Sequence, residues 1–197
     1  MRRIIFPLAA ALFAISPAYA ANTPTQAQIQ AAIDKGIAAT QAKSTSSMPM
    51  PFAINVFKLV GCKPSAAAQG EVVCLLGLSS SQRDAYRVLA LRQEGDTWVG
   101  VERKDAVFPP PTPAEAQQAI RTWAEKLVLE DPEAAKDAQV QEARTTMTIK
   151  ALEHCDVERK TGYIVCDTVM SIPGKSDVNS ELKYSLEGDV WKFAQRK

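Results

Sequence analysis

The chain of 197 residues has a single histidine, His154. One imidazole excludes any site built on two, and no His/Cys/Asp grouping has the ligand spacing of a zinc site. There is no glycine-rich phosphate loop and no nucleophile elbow, so neither nucleotide cradling nor hydrolase chemistry has its usual local frame. Neither sign of charge is in excess: Lys and Arg number 23, Asp and Glu 22. Without a basic footprint, no nucleic-acid partner is expected. After the first twenty residues no apolar run is long enough to span a bilayer, so no stable membrane insertion is expected. No cofactor is implied.

What is present begins with an address. Arg2 and Arg3 precede the apolar stretch Ile4 to Ile15, Pro17 interrupts it, and Ala18-Tyr19-Ala20 has the small-x-small form of a cleavage site. Residues 1–20 are read as a signal peptide, with a mature chain starting near Ala21 and a periplasmic destination. No Cys follows the cut to carry a lipid. In that compartment the four cysteines, an even number, are expected to form disulfides.

The rest of the chain repeats. When Cys62 is set on Cys155, Trp98 falls on Trp191 with no gap, and Cys74 lies within one residue of Cys166. Each half ends on the same hairpin, E-G-D-x-W, at Glu94 to Trp98 and at Glu187 to Trp191. Upstream, Thr23-Pro24-Thr25-Gln26 and Thr112-Pro113-Ala114-Glu115 both read as a helix start, with Thr at the N-cap, Pro at the first turn and Gln or Glu three residues on. The duplication divides the mature chain into unit one (21–107), a proline-rich joint (108–111) and unit two (112–197).

Each unit reads as α+β, a helix packed on a four-stranded antiparallel sheet. Strands are expected at 52–62, 70–79, 84–93 and 97–103, then at 143–155, 161–171, 178–187 and 190–195. The second helix carries the stripe Ile120, Trp123, Ala124, Leu127, Val128, and a further helical turn is placed at Ala134 to Gln139. Ser44 to Pro51 reads as a helix-to-strand loop. Each cysteine pair, Cys62 with Cys74 and Cys155 with Cys166, staples the first hairpin of its own unit. Gly-Asp suits a tight turn that needs positive φ, and each tryptophan opens the last strand as a core anchor.

Alternation then separates the two faces of each sheet. In unit two one face is apolar and the other carries Lys150, Asp167, Glu181, Lys183 and Lys192. In unit one both faces are apolar: the second is expected to present Phe57, Leu59, Val73, Leu75, Val88, Val99 and Val101. Such a face is not left to water. It packs on unit two, on a second copy of the chain, or on a foreign protein or apolar ligand, and these seven residues form the candidate binding surface. His154 beside Cys155 invites a catalytic reading. A disulfide at Cys155 removes the nucleophile, and alternation turns His154 outward, so no catalytic residue is assigned.

The paired cysteines Cys62, Cys74, Cys155 and Cys166 and the two G-D-x-W hairpins resemble the layout of beta-lactamase inhibitory proteins. The single unit is similar to a cystatin-like module. That resemblance implies an inhibitory or immunity-type role, with another envelope protein or a second copy of the chain as partner. The expected function is thus a non-catalytic, periplasmic protein-binding protein. The alternative is a small envelope enzyme or apolar-ligand binder with its site in a sheet–helix cleft.

Overall fold

A computed structural model describes residues 23–43, 53–81 and 83–194. The proposed signal peptide and the loop 44–51 lie outside the described residues. Two meanders are built in chain order. Sheet A joins β1 (Ile54–Pro64), β2 (Glu71–Ser80), β3 (Arg83–Glu94) and β4 (Thr97–Val101) in the order β1-β2-β3-β4, with helix α1 (Gln26–Lys43) before it. Sheet B joins β5 (Thr148–Val157), β6 (Ile164–Ser171), β7 (Val178–Glu187) and β8 (Val190–Ala194) in the order β5-β6-β7-β8, with helix α2 (Pro113–Glu130) before it. All six strand pairings are antiparallel. The protein is therefore α+β, with one principal helix for each four-stranded sheet.

The E-G-D-x-W hairpins close each sheet. Glu94 pairs with Thr97 and Glu187 with Val190, leaving Gly95-Asp96 and Gly188-Asp189 as two-residue turns. Gly95 and Gly188 have φ of +60° and +62°, which a residue with a Cβ adopts at a cost. Trp98 and Trp191 follow and are buried.

The helix frames differ from the sequence expectation at one end. At α2, Thr112 caps as expected: its hydroxyl accepts from Glu115 N, and Glu115 reaches back to Thr112 N. At α1 the cap is Thr25, not Thr23. Gln28 Oε1 accepts Thr25 N–H at 2.9 Å, and Thr25 Oγ1 accepts Gln28 N–H at 3.3 Å. The helices then match residue for residue over 18 positions each. In that frame Gln30 matches Gln117, and both dock the helix to its sheet's first strand. Gln30 Oε1 accepts Val56 N–H, and Gln117 Oε1 accepts Ile149 N–H, each at 2.7 Å.

Between α2 and β5 the chain departs from the expected strand at 143–155. A short 3-10 helix (Pro132–Lys136) leads into α3 (Ala138–Thr145), and β5 starts only at Thr148. Asp137 explains the second start, because its side chain accepts from the N–H groups of Gln139 and Val140. Val140 and Ala143 then bury against α2 and sheet B.

Two disulfides join Cys62 to Cys74 and Cys155 to Cys166, each within one unit's first hairpin. They place the chain in an oxidising, exported environment. No helix among the described residues is long and apolar enough to cross a membrane.

One core lies between α1 and sheet A, gathering Ile29, Ala32, Val56, Val72, Cys74, Leu76, Leu91 and Trp98. The larger core crosses the boundary between the units. It joins Val73, Leu75 and Ala90 of sheet A to Phe108 of the joint, Ala116 and Ile120 of α2, and Ile164, Tyr184, Leu186 and Trp191 of sheet B. The proline-rich joint is part of that packing: Phe108 is buried and meets Trp191 edge-on, with ring centroids 6.4 Å apart.

Candidate functional site

The seven apolar residues of sheet A do not form one open surface. Val73 and Leu75 are buried in the shared core, with Val88 and Val101 packed against it. Unit two is what covers this face. Tyr86 N–H donates to Arg159 O at 2.8 Å across the boundary, and Lys63 pairs with Asp189 at 3.6 Å. Gly61 admits Leu186 so closely that a Cβ there would stand 2.7 Å from its Cδ2.

Leu59 and Phe57 are the corrections. Register shifts between Val56 and Lys58 and between Leu59 and Gly61 break the alternation of β1, so Leu59 packs into the α1 core instead of the second face. Phe57, at the first shift, is exposed. Its ring lies over Gly77 and meets Tyr86 edge-on at 5.6 Å. Val99, paired with Arg92 and of the same parity as Val101, stays half-buried on the second face. The face as a docking site is therefore replaced by an internal interface, with Phe57 at its edge.

His154 is outward and exposed, and it lies at an irregularity of β5 between Glu153 and Asp156 with φ of +47°. Its Nδ1 is 3.2 Å from Asp167 Oδ2, itself exposed. With Cys155 oxidised there is no nucleophile beside it. No group of three potential metal-ligating side chains occurs among the described residues.

Open features among the described residues include two clefts, one per unit, each between a helix and its sheet, and a smaller hollow of about 340 Å³ where Tyr86 and Phe108 meet Cys155 and Arg159. The cleft of unit one, about 730 Å³, lies under the second half of α1 against β3 and β4. Its wall is aliphatic. The cleft of unit two, about 770 Å³, lies between α2, α3 and sheet B. Its wall carries Trp123, Leu127, Leu182 and Phe193, all half-buried. Trp123 and Phe193 meet edge-on with centroids 5.2 Å apart. Asp131, Glu133 and Asp137 stand along its helical edge, Glu133 in an ion pair with Lys136, while Glu181 and Lys183 of β7 turn their side chains to the opposite face of sheet B. Asp131 and Asp137 are held in place by capping, since each accepts a backbone N–H two residues on.

Trp123 belongs to the apolar stripe that the sequence predicts for α2, and no cleft is foreseen beside it. One wall of the cleft is α3, through Gln139, Val140 and Ala143, where the sequence pattern predicts a strand from 143. Comparison with family models and with curated proteins finds no match.

Proposed function

We propose that the protein is an exported, non-catalytic binding protein of the periplasm, of the inhibitory or immunity kind. It receives a segment of another envelope protein in the cleft of unit two. The observation that carries this reading is the Trp123–Phe193 pair, half-exposed in a cleft with a carboxylate rim. Aromatic anchors in a partly open pocket are the residues that most often dominate protein–protein affinity. A carboxylate rim selects a partner segment with apolar side chains flanked by Lys or Arg. The signal-peptide features of residues 1–20 and the two disulfides support export. The exposed, singly partnered His154 supports binding over catalysis.

The test is affinity capture from an envelope extract with the wild type and two variants, Trp123→Ala and Glu133→Lys. A stoichiometric partner held by the wild type and weakened at least tenfold by each variant is the expected result. Equal capture by all three forms would remove the cleft from the reading. Loss of an envelope-substrate turnover in His154→Ala would favour an enzyme. A dimer of the chain that dissociates in Trp123→Ala would make the partner a second copy.

A further inference from the structure

The outer N–H and C=O groups of a sheet's edge strands have no partner within the sheet, and such edges invite pairing with another chain. Bulges and charged side chains are the usual protection. Of the four edges here, β1, β4, β5 and β8, three are protected. β1 has two register shifts, and the side-chain amides of Gln26 and Gln30 occupy Val56 O, Val56 N–H and Ile54 O. β5 also has two, with His154 at φ of +47° in one of them, and Gln117 holds Ile149 N–H. β8 is regular but carries Lys192 at its middle position.

β4 has none of these devices. The turn pair Glu94–Thr97 sets the ladder, so Val99 and Val101 bond to β3 while Trp98 and Gly100 turn their main-chain groups outward. Among the described residues, no hydrogen bond from outside the sheet reaches the main chain of either. The middle of this edge is Val99, apolar and half-buried. Gly100 is exposed, its φ is not positive, and a Cβ there would meet nothing within 4 Å. The helix frame fixed by Gln30 and Gln117 sets Gly36 on Trp123, and the strand frame fixed by Trp98 and Trp191 sets Gly100 on Phe193. In unit two that aromatic pair bridges α2 to β8. In unit one a cleft of about 730 Å³ lies open beside Gly100 instead, with Ile33, Ile37 and Leu89 in its wall.

We propose that β4 pairs with β4 of a second copy, joining two copies of sheet A into one continuous antiparallel sheet. The residue order fits self-pairing. A two-fold axis through Val99 sets Trp98 of each copy opposite Gly100 of the other, and both pairs exchange main-chain hydrogen bonds. Glycine leaves room for the neighbouring indole, and an aromatic residue across from an edge glycine shields its main chain. Val99 meets Val99, with no charge between them. The same operation on β8 would set Lys192 against Lys192, and like charges directly opposite are destabilising. The seam also brings the second copy against the cleft beside Gly100 and its aliphatic wall. No residue of the unit-two cleft takes part, so the pairing does not depend on the docking proposed there.

The test is sedimentation of the oxidised, exported chain over a range of concentrations, with hydrogen exchange read at the amides of Trp98 and Gly100. A dimer is expected, with both amides slowed as it forms and those of Trp191 and Phe193 unchanged. Val99→Lys copies the lysine of β8 onto β4 and should weaken the dimer roughly tenfold or more. Gly100→Pro removes an edge donor without touching the bonds to β3, and it should weaken the dimer likewise while the monomer stays folded. If Val99→Lys fails to fold, Gly100→Pro and the exchange rates decide. A monomer at every concentration would overturn the proposal, whether or not its edge takes a foreign strand. So would a dimer that survives both substitutions, or one in which the Trp98 and Gly100 amides exchange as fast as in the monomer. A dimer that dissociates in Trp123→Ala but not in Val99→Lys would overturn it too, since the contact would then lie at unit two.

Discussion

The ring of Tyr86, in sheet A, rests on the backbone of Gly162, in the turn that joins β5 to β6 of sheet B. A Cβ on Gly162 would lie 2.5 Å from Tyr86 Cδ1, and Gly162 has φ of +75°. Tyr86 N–H donates to Arg159 O in the same turn. The hairpin of unit two that carries the Cys155–Cys166 bond is thus fitted to the strand of unit one beside it.

Gly162→Ala should therefore cost more than positive φ alone. A left-handed residue with a Cβ costs about 1–2 kcal/mol, and crowding a packed contact adds roughly 1–3 kcal/mol. Gly174 is the control: its φ is +78°, and a Cβ there meets nothing within 4 Å. Urea unfolding should show Gly162→Ala less stable than Gly174→Ala by at least about 1 kcal/mol. Equal losses would show that the Tyr86 contact adds nothing.

Each disulfide closes a short hairpin loop, with sequence separations of 12 and 11. A bond of that span is typically worth about 2–4 kcal/mol. The double substitution Cys62→Ser/Cys74→Ser should lower stability by that amount, and so should Cys155→Ser/Cys166→Ser. Non-reducing peptide mapping should recover only the pairs within each unit. A peptide linking Cys62 to Cys155 or Cys166 would contradict the register of both sheets.

Acid should weaken the start of α2. Glu115 is held below its usual carboxylate pKa of 4.5, chiefly by the Thr112 backbone N–H and further by the Thr112 hydroxyl, with partial burial opposing both. A carboxyl whose pKa is lowered by folding stabilises the fold above about pH 4.5, and that contribution is lost as pH falls through the folded value. The group is largely exposed, so after solvent screening the effect is about 0.5 kcal/mol. The stability gap between wild type and Glu115→Gln should be larger at pH 7 than at pH 3. A gap of the same size at both would remove the charge from the capping argument.

Much of the architecture is legible in the sequence because it is local. The G-D-x-W turns, the four cysteines and the Thr112 to Glu115 box each declare a short-range requirement. The burial of Trp98 and Trp191 follows from their place at the opening of each last strand. The failures are where a longer-range effect wins. Thr23-Pro24 imitates the later helix start, but the box closes between Thr25 and Gln28 because the Gln30 amide must reach Val56 and Ile54. Leu59 leaves the expected face because β1 carries two irregularities that alternation does not foresee. A strand from 143 is overridden by the Asp137 cap, which starts α3.

The sites were less legible than the fold. An apolar second face on sheet A is visible in the sequence, but its occupant is not, since Phe108, Leu186 and Gly162 are distant in the chain. The clefts emerge only when helix and strand frames are known together. Gly36 alone looks like a weak point in a helix, and Gly100 alone looks like an unremarkable strand residue.

The central claim is that the second face of sheet A is an internal interface, so that both sheets depend on it. Leu75 has 0% exposure and lies in the core shared with unit two, whereas Asp167 on the open face of sheet B is exposed. The most direct measurement is thermal unfolding of Leu75→Asp and Asp167→Leu beside the wild type, with oligomeric state followed in parallel. A carboxylate at Leu75 has no partner there, and losses of about 4 kcal/mol or more are expected for such a burial. The account predicts that Leu75→Asp unfolds both sheets together at a much lower temperature, or does not fold, while Asp167→Leu melts within a degree or two of the wild type. A Leu75→Asp protein that melts like the wild type and has changed only its oligomeric state or partner binding would contradict it, and would place the face on another molecule.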